Sequence, residues 1–380
     1  MMNVHNEALG IIFPNSYDSL VPQLVTERSM ASIPFGSRYR MIDFILSSMV
    51  NSGIDNVAII VRQNYHSLMD HLGTGREWDL ARKNGGLNIF PPYAEKTVKL
   101  YTGRIEALES ILLFLRSQKE KYVILTDANL AVNFDFTEMM SRHIESGADI
   151  TIAYQRTEIP AGLIRPNEIA KDLYYTLALD GTRVNKIFMN QTTPGVKNLS
   201  MNIYIVDREL LIDLVNSAYV RGMNYFERDV LAEKLDELNI QGYEYDGYVA
   251  RITDMKSYFD ENMKLLDDKN LDALFSGNTI YTKIRDDNPT RYIGDANAKN
   301  VLVADGCVIE GTIENCVLFR GVKIGKGAVV KNCVLMQDTV VGDNAKLDHV
   351  ITDKNVTISA GKELVGTESF PVYAEKNRKI

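Results

Sequence analysis

No run of about 18 consecutive apolar residues occurs in this 380-residue chain, so an ordinary membrane-spanning helix is excluded. The N-terminus, MMNVHNEALGIIF, lacks a basic segment followed by a long apolar one; no secretory leader is expected, and the cytoplasm is the expected compartment. Cysteine is scarce: Cys307, Cys316 and Cys333 are odd in number and show no CxxC spacing. A disulfide framework or a zinc site is therefore not expected, and the three read as small buried residues in a reducing compartment. Basic charge is also short, with 42 Lys and Arg against 50 Asp and Glu, a formal charge of -8. That balance argues against a nucleic-acid surface or attachment to anionic membranes. Tryptophan occurs once, at Trp78. The rest is ordinary for a globular protein, 45% hydrophobic and 24% charged, and the length predicts two domains.

Up to about residue 270, short apolar runs alternate with amphipathic segments. NVAIIV (56–61), YVILT (122–126), ADITIAY (148–154) and MNIYIV (201–206) read as buried strands. Between them RIEALESILLFLRSQ (104–118), FTEMMSRHIESG (136–147) and RELLIDLVNSAY (208–219) have apolar residues at helical spacing, with Gly147 a helix stop. The fold class is α/β, with a mostly parallel sheet.

From about residue 300 the period changes to six: Val303 and Ile309; Leu318, Ile324 and Val330; Val341 and Leu347. A second series, Cys307, Ile313, Val322, Ala328, Val334, Ala345 and Ile351, is small or apolar. Six is too long for strand alternation and wrong for a helix; it fits a left-handed parallel β-helix of hexapeptide repeats. The expected organisation is residues 1–275 as an α/β domain, 276–299 as a Gly-, Asn- and Asp-rich connection, and 300–380 as the β-helix.

The segments IPFGSRYRMIDFILSSMVNSGIDNVAIIVRQNYHSLMDHLG (33–73), EWDLARKNGGLNIFPPY (77–93), LSMNIYIVD (199–207) and CVIEGTIENCVLFRGVKIGKGAVVKNCVLM (307–336) resemble ADP-glucose pyrophosphorylase, the glucose-1-phosphate adenylyltransferase family. The resemblance runs over essentially the whole chain. It implies a nucleotidyltransferase (GT-A-like, Rossmann-like) domain ahead of the β-helix, and a tetramer controlled by metabolites. It also implies a reaction in which ATP and glucose 1-phosphate give ADP-glucose and pyrophosphate for glycogen synthesis. That chemistry needs phosphate charge neutralised while the reactants are held in line. Family members supply a Gly-rich loop, a lysine beside it and two aspartates that hold magnesium.

Each of these parts departs from the family pattern. Over the loop pattern GGxGxRLxxLT stands NSYDSLVPQLV (15–25), with Asn15, Ser16 and Asp18 at glycine positions; Met30 takes the place of the loop lysine. A side chain at a glycine position blocks close backbone approach, and a thioether cannot neutralise phosphate. Where the family ends a strand in a metal aspartate, ILTDANLAVNFDF places Asn129 by one alignment and Asp127 by another. The second metal aspartate falls on Arg251, and the sugar-phosphate lysine falls near Asn190. In GRIEA (103–107), Arg104 and Ile105 replace small residues.

The combined losses resemble the D-type regulatory subunit that accompanies a catalytic subunit in some Gram-positive bacteria. They imply a catalytically impaired chain with no cofactor of its own, in a heterotetramer whose catalytic paralogue holds Mg2+. An alternative is an active nucleotidyltransferase with a rebuilt site using Asp127 and Arg28 or Arg38. A hexapeptide-repeat acyltransferase would need a histidine base near the coil, and only His349 lies there. By the resemblance, Arg28, Arg38 and Arg40 are candidates for a sugar-phosphate or nucleotide effector, although a structural ion pair involving Asp43 competes for the latter two. Trp78 marks a candidate coupling loop, either exposed at an interface or simply packed.

Overall fold

The computed structural model describes residues 7–92, 101–164 and 174–380. The start of the N-terminal segment (1–6) and Tyr93 lie outside the described residues. The first domain is built on a nine-stranded sheet in the order 86–90, 56–60, 8–13, 122–127, 197–207, 150–157, 240–244, 183–189 and 175–180. The half around Ala8–Phe13 is parallel, and the strand Lys197–Asp207 runs antiparallel to both neighbours, opening a mixed second half.

The central strands are buried on both faces, which explains their unbroken apolar runs. Alternation of period two sends Leu9, Ile11, Val123 and Leu125 to one core, and Ile12, Val57, Ile59 and Ile124 to the other. The helix Met41–Asn51 covers the second core through Ile42, Ile45, Leu46 and Met49. It approaches so closely at Gly10 that a Cβ there would lie 2.6 Å from Met49 Sδ. The opposite face is covered by Arg208–Val220, whose start is capped by the Asp207 carboxylate, and by two short helices, Arg104–Glu109 and Leu112–Ser117. The sequence spacing implies one helix over 104–118; the backbone breaks at Ser110 and Ile111 instead. Gly147, at φ 58, stops Phe136–Glu145 as expected.

The C-terminal part is a left-handed parallel β-helix. Val301, Cys316 and Cys333 stack in register, as do Leu302, Val317, Val334 and Ile351. Its strands begin at Arg291 and Asn297, ahead of residue 300. The interior holds Ile309, Ile324, Val330, Val341 and Leu347 together with all three cysteines, which are free. Val334 and Ile351 are buried, but outside the coil: with Val317, Phe319 and Met336 they face the first domain and pack in one cluster with Tyr258 and Phe259 of the helix Met255–Lys264. The hexapeptide pattern cannot distinguish an inward residue from one buried under a second domain. Among the described residues, no helix is long and apolar enough to cross a membrane.

Candidate functional site

The strand Ala8–Phe13 delivers the chain into the loop that lies over the family's phosphate cradle. This loop is tied by its own side chains. Asn15 Nδ2 donates to Asp18 Oδ2 (2.8 Å) and to the Gln63 carbonyl (3.0 Å), and Asn15 Oδ1 accepts from the Arg62 amide (2.9 Å). Asp18 Oδ1 accepts from the Met30 amide at 2.7 Å. Such side-chain bonds tie the polar loop to itself and to the neighbouring segments at Arg62, Gln63 and Met30. Tyr17 turns through a left-handed conformation, φ 66, and its side chain packs in the same apolar cluster as Leu20, Met30 and Ile33. Met30 is 0% exposed.

Beside this loop the strand Tyr122–Asp127 ends in a buried carboxylate. Asp127 Oδ1 accepts from Ser16 Oγ (2.6 Å) and Arg104 Nη2 (2.8 Å), and its Oδ2 accepts from Asn202 Nδ2 (2.8 Å). Arg104 Nη1 donates to the buried Glu227. The guanidinium lies 4.8 Å from the ring centre of Phe13 and 5.4 Å from that of Tyr204. Burial would push the Arg104 guanidinium down, but Asp127 and Glu227 outweigh it and hold it well above its ordinary range. Asn202 reaches this cluster because the strand Lys197–Asp207 shifts register between Ser200 and Tyr204, where Asn202 adopts φ 55. Its Nδ2 also donates to the Tyr17 hydroxyl (2.6 Å), which burial, and then Asp127, keeps protonated far above the usual range. Arg104, Asp127 and Glu227, with Tyr101, Tyr175 and Tyr225, line a cleft of about 160 Å³.

Asn129 and Arg251 come together nearby. The short strands Leu130–Ala131 and Ala250–Arg251 pair, and the Ile252 amide donates to the Asn129 carbonyl at 3.2 Å. Arg251 is buried, donates to the Ser200 carbonyl (3.2 Å), and is pushed down to about 10 by burial, against the pull of Tyr17 and Asp127. The buried Asn129 Oδ1 has no hydrogen-bond partner.

Two domain models match the chain, nucleotidyl transferase over residues 21–166 and GlmU-like C-terminal hexapeptide over 285–369. A Bacillus subtilis protein named glycogen biosynthesis protein GlgD is 36% identical over 374 residues, covering 98% of this chain and 96% of its own length. The chain belongs to the ADP-glucose pyrophosphorylase family. A Geobacillus stearothermophilus protein, also named glycogen biosynthesis protein GlgD, is 38% identical over 86% of this chain and 84% of its own. The glucose-1-phosphate adenylyltransferase of the same organism is 31% identical over 86% and 83%.

Family membership makes the pairing of Asn129 with Arg251 informative, because these positions lie where the resemblance puts the two magnesium aspartates. One is a neutral amide and the other a buried cation. Mg2+ takes hard, mostly anionic oxygen ligands, and among the described residues no three His, Cys, Asp or Glu side chains are grouped to hold a metal. The residues present do not fit the family's metal. Asp127, the other alignment's candidate, has three donors on its carboxylate, one of them a guanidinium. Asn190 does not line the cleft; its Oδ1 and backbone amide bond reciprocally with Tyr174 at the end of a hairpin.

The remaining sequence candidates divide. Arg28 is neither a solvated surface group nor free for an effector: its Nη2 lies 2.6 Å from Asp353 Oδ1 of the β-helix, with both side chains buried. Trp78 is buried, donating from Nε1 to Ser47 Oγ (3.2 Å) and packing edge-on to His71, so the interface-exposed alternative fails. The expected arginine–Asp43 ion pair is not formed. Asp43 accepts from the Arg40 backbone amide (2.9 Å) and contacts His71 Nε2 (2.6 Å), while the Arg40 guanidinium donates to the Ser67 carbonyl (2.6 Å) and hydroxyl (3.0 Å).

Arg38 is exposed and, with Arg40, lines a second cleft of about 390 Å³ between the domains. Lys283, Arg285, Arg320 and Lys354 complete its basic lining, against Asp70 and Asp338. Buried Arg320 Nε has no hydrogen-bond partner; the nearest carboxylate, Asp287, is 3.8 Å away. His349, the acyltransferase reading's only base, is paired with Asp348 (2.7 Å) and lies against Phe259 at the domain seam.

Glu227 and Asn202 were not foreseen from sequence. Glu227 lies outside the segments that carry the resemblance, and Asn202 lies inside LSMNIYIVD, where the one signal was an Asn in an apolar strand, a residue that tolerates the left-handed conformation of a bulge.

Proposed function

We propose that this chain is a regulatory, catalytically impaired subunit of a heteromeric, cytoplasmic glucose-1-phosphate adenylyltransferase in glycogen biosynthesis. The observation that carries this reading is the Arg104 guanidinium held between Asp127 and Glu227 in the old nucleotide cleft. A triphosphate there would meet Asp127 and Glu227 without the glycine-rich loop, the lysine or the metal that neutralise its charge in the family. The chemistry is then the partner's: a catalytic paralogue, assembled with this chain as a heterotetramer, holds Mg2+ and both substrates. This chain acts by binding one conformation of that partner better than another, which shifts its population without any reaction of its own. The basic interdomain cleft supports a sugar-phosphate or nucleotide effector, with Arg38 and Arg40 contributing charge and Arg28 excluded by its bond to Asp353. An active site rebuilt on Asp127 gains no support, because its carboxylate is already committed.

The test is ADP-glucose formation by the purified chain, alone and mixed with a catalytic paralogue. No turnover alone and a raised rate or altered effector response in the mixture are expected. Turnover by the lone chain at the paralogue's rate overturns the reading.

A further inference from the structure

Lys354 sits at a corner of the β-helix, between the strands Val350–Thr352 and Thr357–Ile358, and its half-buried side chain lines the interdomain cleft. The charges acting on it are Arg40, just ahead of the helix Met41–Asn51, Arg28 from the segment before Met30, and Lys376 near the C-terminus, with Asp353 opposing them. Asp353 is already committed: Oδ1 accepts from Arg28 Nη2 and from the Lys354 backbone amide (2.6 Å each), and Oδ2 from the Tyr373 hydroxyl (2.9 Å). The carboxylates lining the cleft are engaged too, Asp70 by Lys283 (3.1 Å) and Asp338 by the Gln337 side-chain amide (3.0 Å), while His71 is held by Asp43. Among the described residues the Lys354 amine has no hydrogen-bond or ion-pair partner. Burial, and after it Arg40 and Arg28, push that amine down to about 7, so at neutral pH much of it is an uncharged nucleophile.

A second observation points to an anion in the same cleft. Arg320 is 7% exposed, spends both terminal nitrogens on the Lys283 carbonyl (3.2 Å each) and leaves its buried Nε without a hydrogen-bond partner. Arg40 donates to Ser67 through Nη1 only. Guanidinium donors left over in a cleft suit a planar, carboxylate-like anion.

We propose that Lys354 is a site of carbamate formation: its amine takes up carbon dioxide, and the carbamate serves as a built-in anion for the guanidinium groups of the cleft. The Nζ lone pair attacks the carbon of CO2 and forms the N–C bond, one C=O electron pair shifts onto oxygen, and a proton leaves Nζ for solvent. Amine and CO2 thus give carbamate and H+, with nothing oxidised or reduced. An ammonium at this corner adds to a crowd of cations, whereas a carbamate relieves it. Carbamate and a bound anion exclude one another, because the anion favours the protonated amine, which cannot react. The carbamate stands on the charges of the cleft; its competition with an effector rests on the regulatory reading.

The test equilibrates the full chain with carbon-13-labelled CO2, traps carbamates by ethylation with a trialkyloxonium salt, and locates the label by peptide mass spectrometry. The wild type is expected to carry a trapped carbamate on Lys354, and Lys354→Arg and Lys354→Met to carry none at that position. Lys354→Arg keeps the positive charge, so it retains the charge balance of the folded cleft. At fixed dissolved CO2 the occupancy is expected to rise roughly tenfold or more between pH 6 and pH 7, as the amine loses its proton. Saturating sulfate at pH 7 is expected to lower it roughly fivefold or more. A folded wild type with no trapped product at Lys354, or with label spread evenly over exposed lysines such as Lys119 and Lys269, overturns the inference. So does label confined to the N-terminal amine. None of these readouts uses ADP-glucose formation, so their failure leaves the regulatory reading standing.

Discussion

Arg28 Nη2 lies 2.6 Å from Asp353 Oδ1, with the two side chains 3% and 4% exposed, and this bond ties the segment just ahead of Met30 to the β-helix. Asp353 Oδ2 also accepts from the Tyr373 hydroxyl (2.9 Å), whose oxygen lies 3.1 Å from the Gln23 carbonyl. The segment that the resemblance sets against the family's phosphate-binding loop is thus built into the domain seam. Breaking one partner of a buried pair leaves the other uncompensated. Asp353→Asn is expected to cost about 3–5 kcal/mol in urea unfolding, and Arg28→Met combined with Asp353→Leu to cost less than that single change.

Met30 shows the same conversion from chemistry to packing. It is fully buried beside Tyr17, Leu20 and Ile33, so restoring the family's lysine would place an ammonium in an apolar cluster. Met30→Lys is expected to lower stability by about 3 kcal/mol or more without conferring ATP binding, as checked by urea unfolding and calorimetry. A variant of wild-type stability that binds ATP would contradict this.

Lys354 makes the interdomain cleft sensitive to pH. Burial pushes its amine down to about 7, with Arg40 and Arg28 adding to the effect, Asp353 opposing it, and Lys376 adding again. The amine is largely neutral above pH 7 and charged below it. A bound anion favours the charged form, so binding takes up a proton and weakens as pH rises through 7. Sulfate, whose charge is constant in this range, is expected to lose affinity by up to about tenfold between pH 7 and 8, and Lys354→Met to flatten that profile. The same depressed value means that the unfolded chain holds more protons between pH 7 and about 10, so stability rises with pH across that window.

Arg38 is exposed, its guanidinium 5.8 Å from the ring centre of its neighbour Tyr39. Arg38→Ala is expected to leave stability within about 0.5 kcal/mol of wild type while weakening sulfate binding severalfold. Unchanged binding would remove Arg38 from the effector site.

The β-helix was legible because its six-residue period fits neither a strand nor a helix, and Met30 and Arg251 could be read against a motif, whereas the first metal position fell on Asn129 or Asp127 according to the alignment. The rest depends on contacts between residues distant in sequence. Arg104 was visible as a bulky replacement, but its partners come from other elements: Asp127 at the end of a strand, and Glu227 more than a hundred positions away. Arg28 read as an effector residue because nothing local to it announces Asp353. Trp78 read equally well as packed or exposed until Ser47 and His71 were seen around it. The split of the helix over 104–118 leaves the apolar spacing intact on both sides, so periodicity alone could not place the break.

The central claim, that this chain assembles with a catalytic partner but performs no chemistry, is tested most directly with a partner whose own site has been disabled. The chain is co-purified with a catalytic paralogue lacking one of its metal-binding aspartates, and ADP-glucose formation is measured against the heteromer containing the intact paralogue. The intact heteromer is expected to be more active, or more responsive to effector, than the paralogue alone, and the disabled one to make no ADP-glucose. Product from the disabled heteromer, dependent on Asp127 of this chain, would contradict the account.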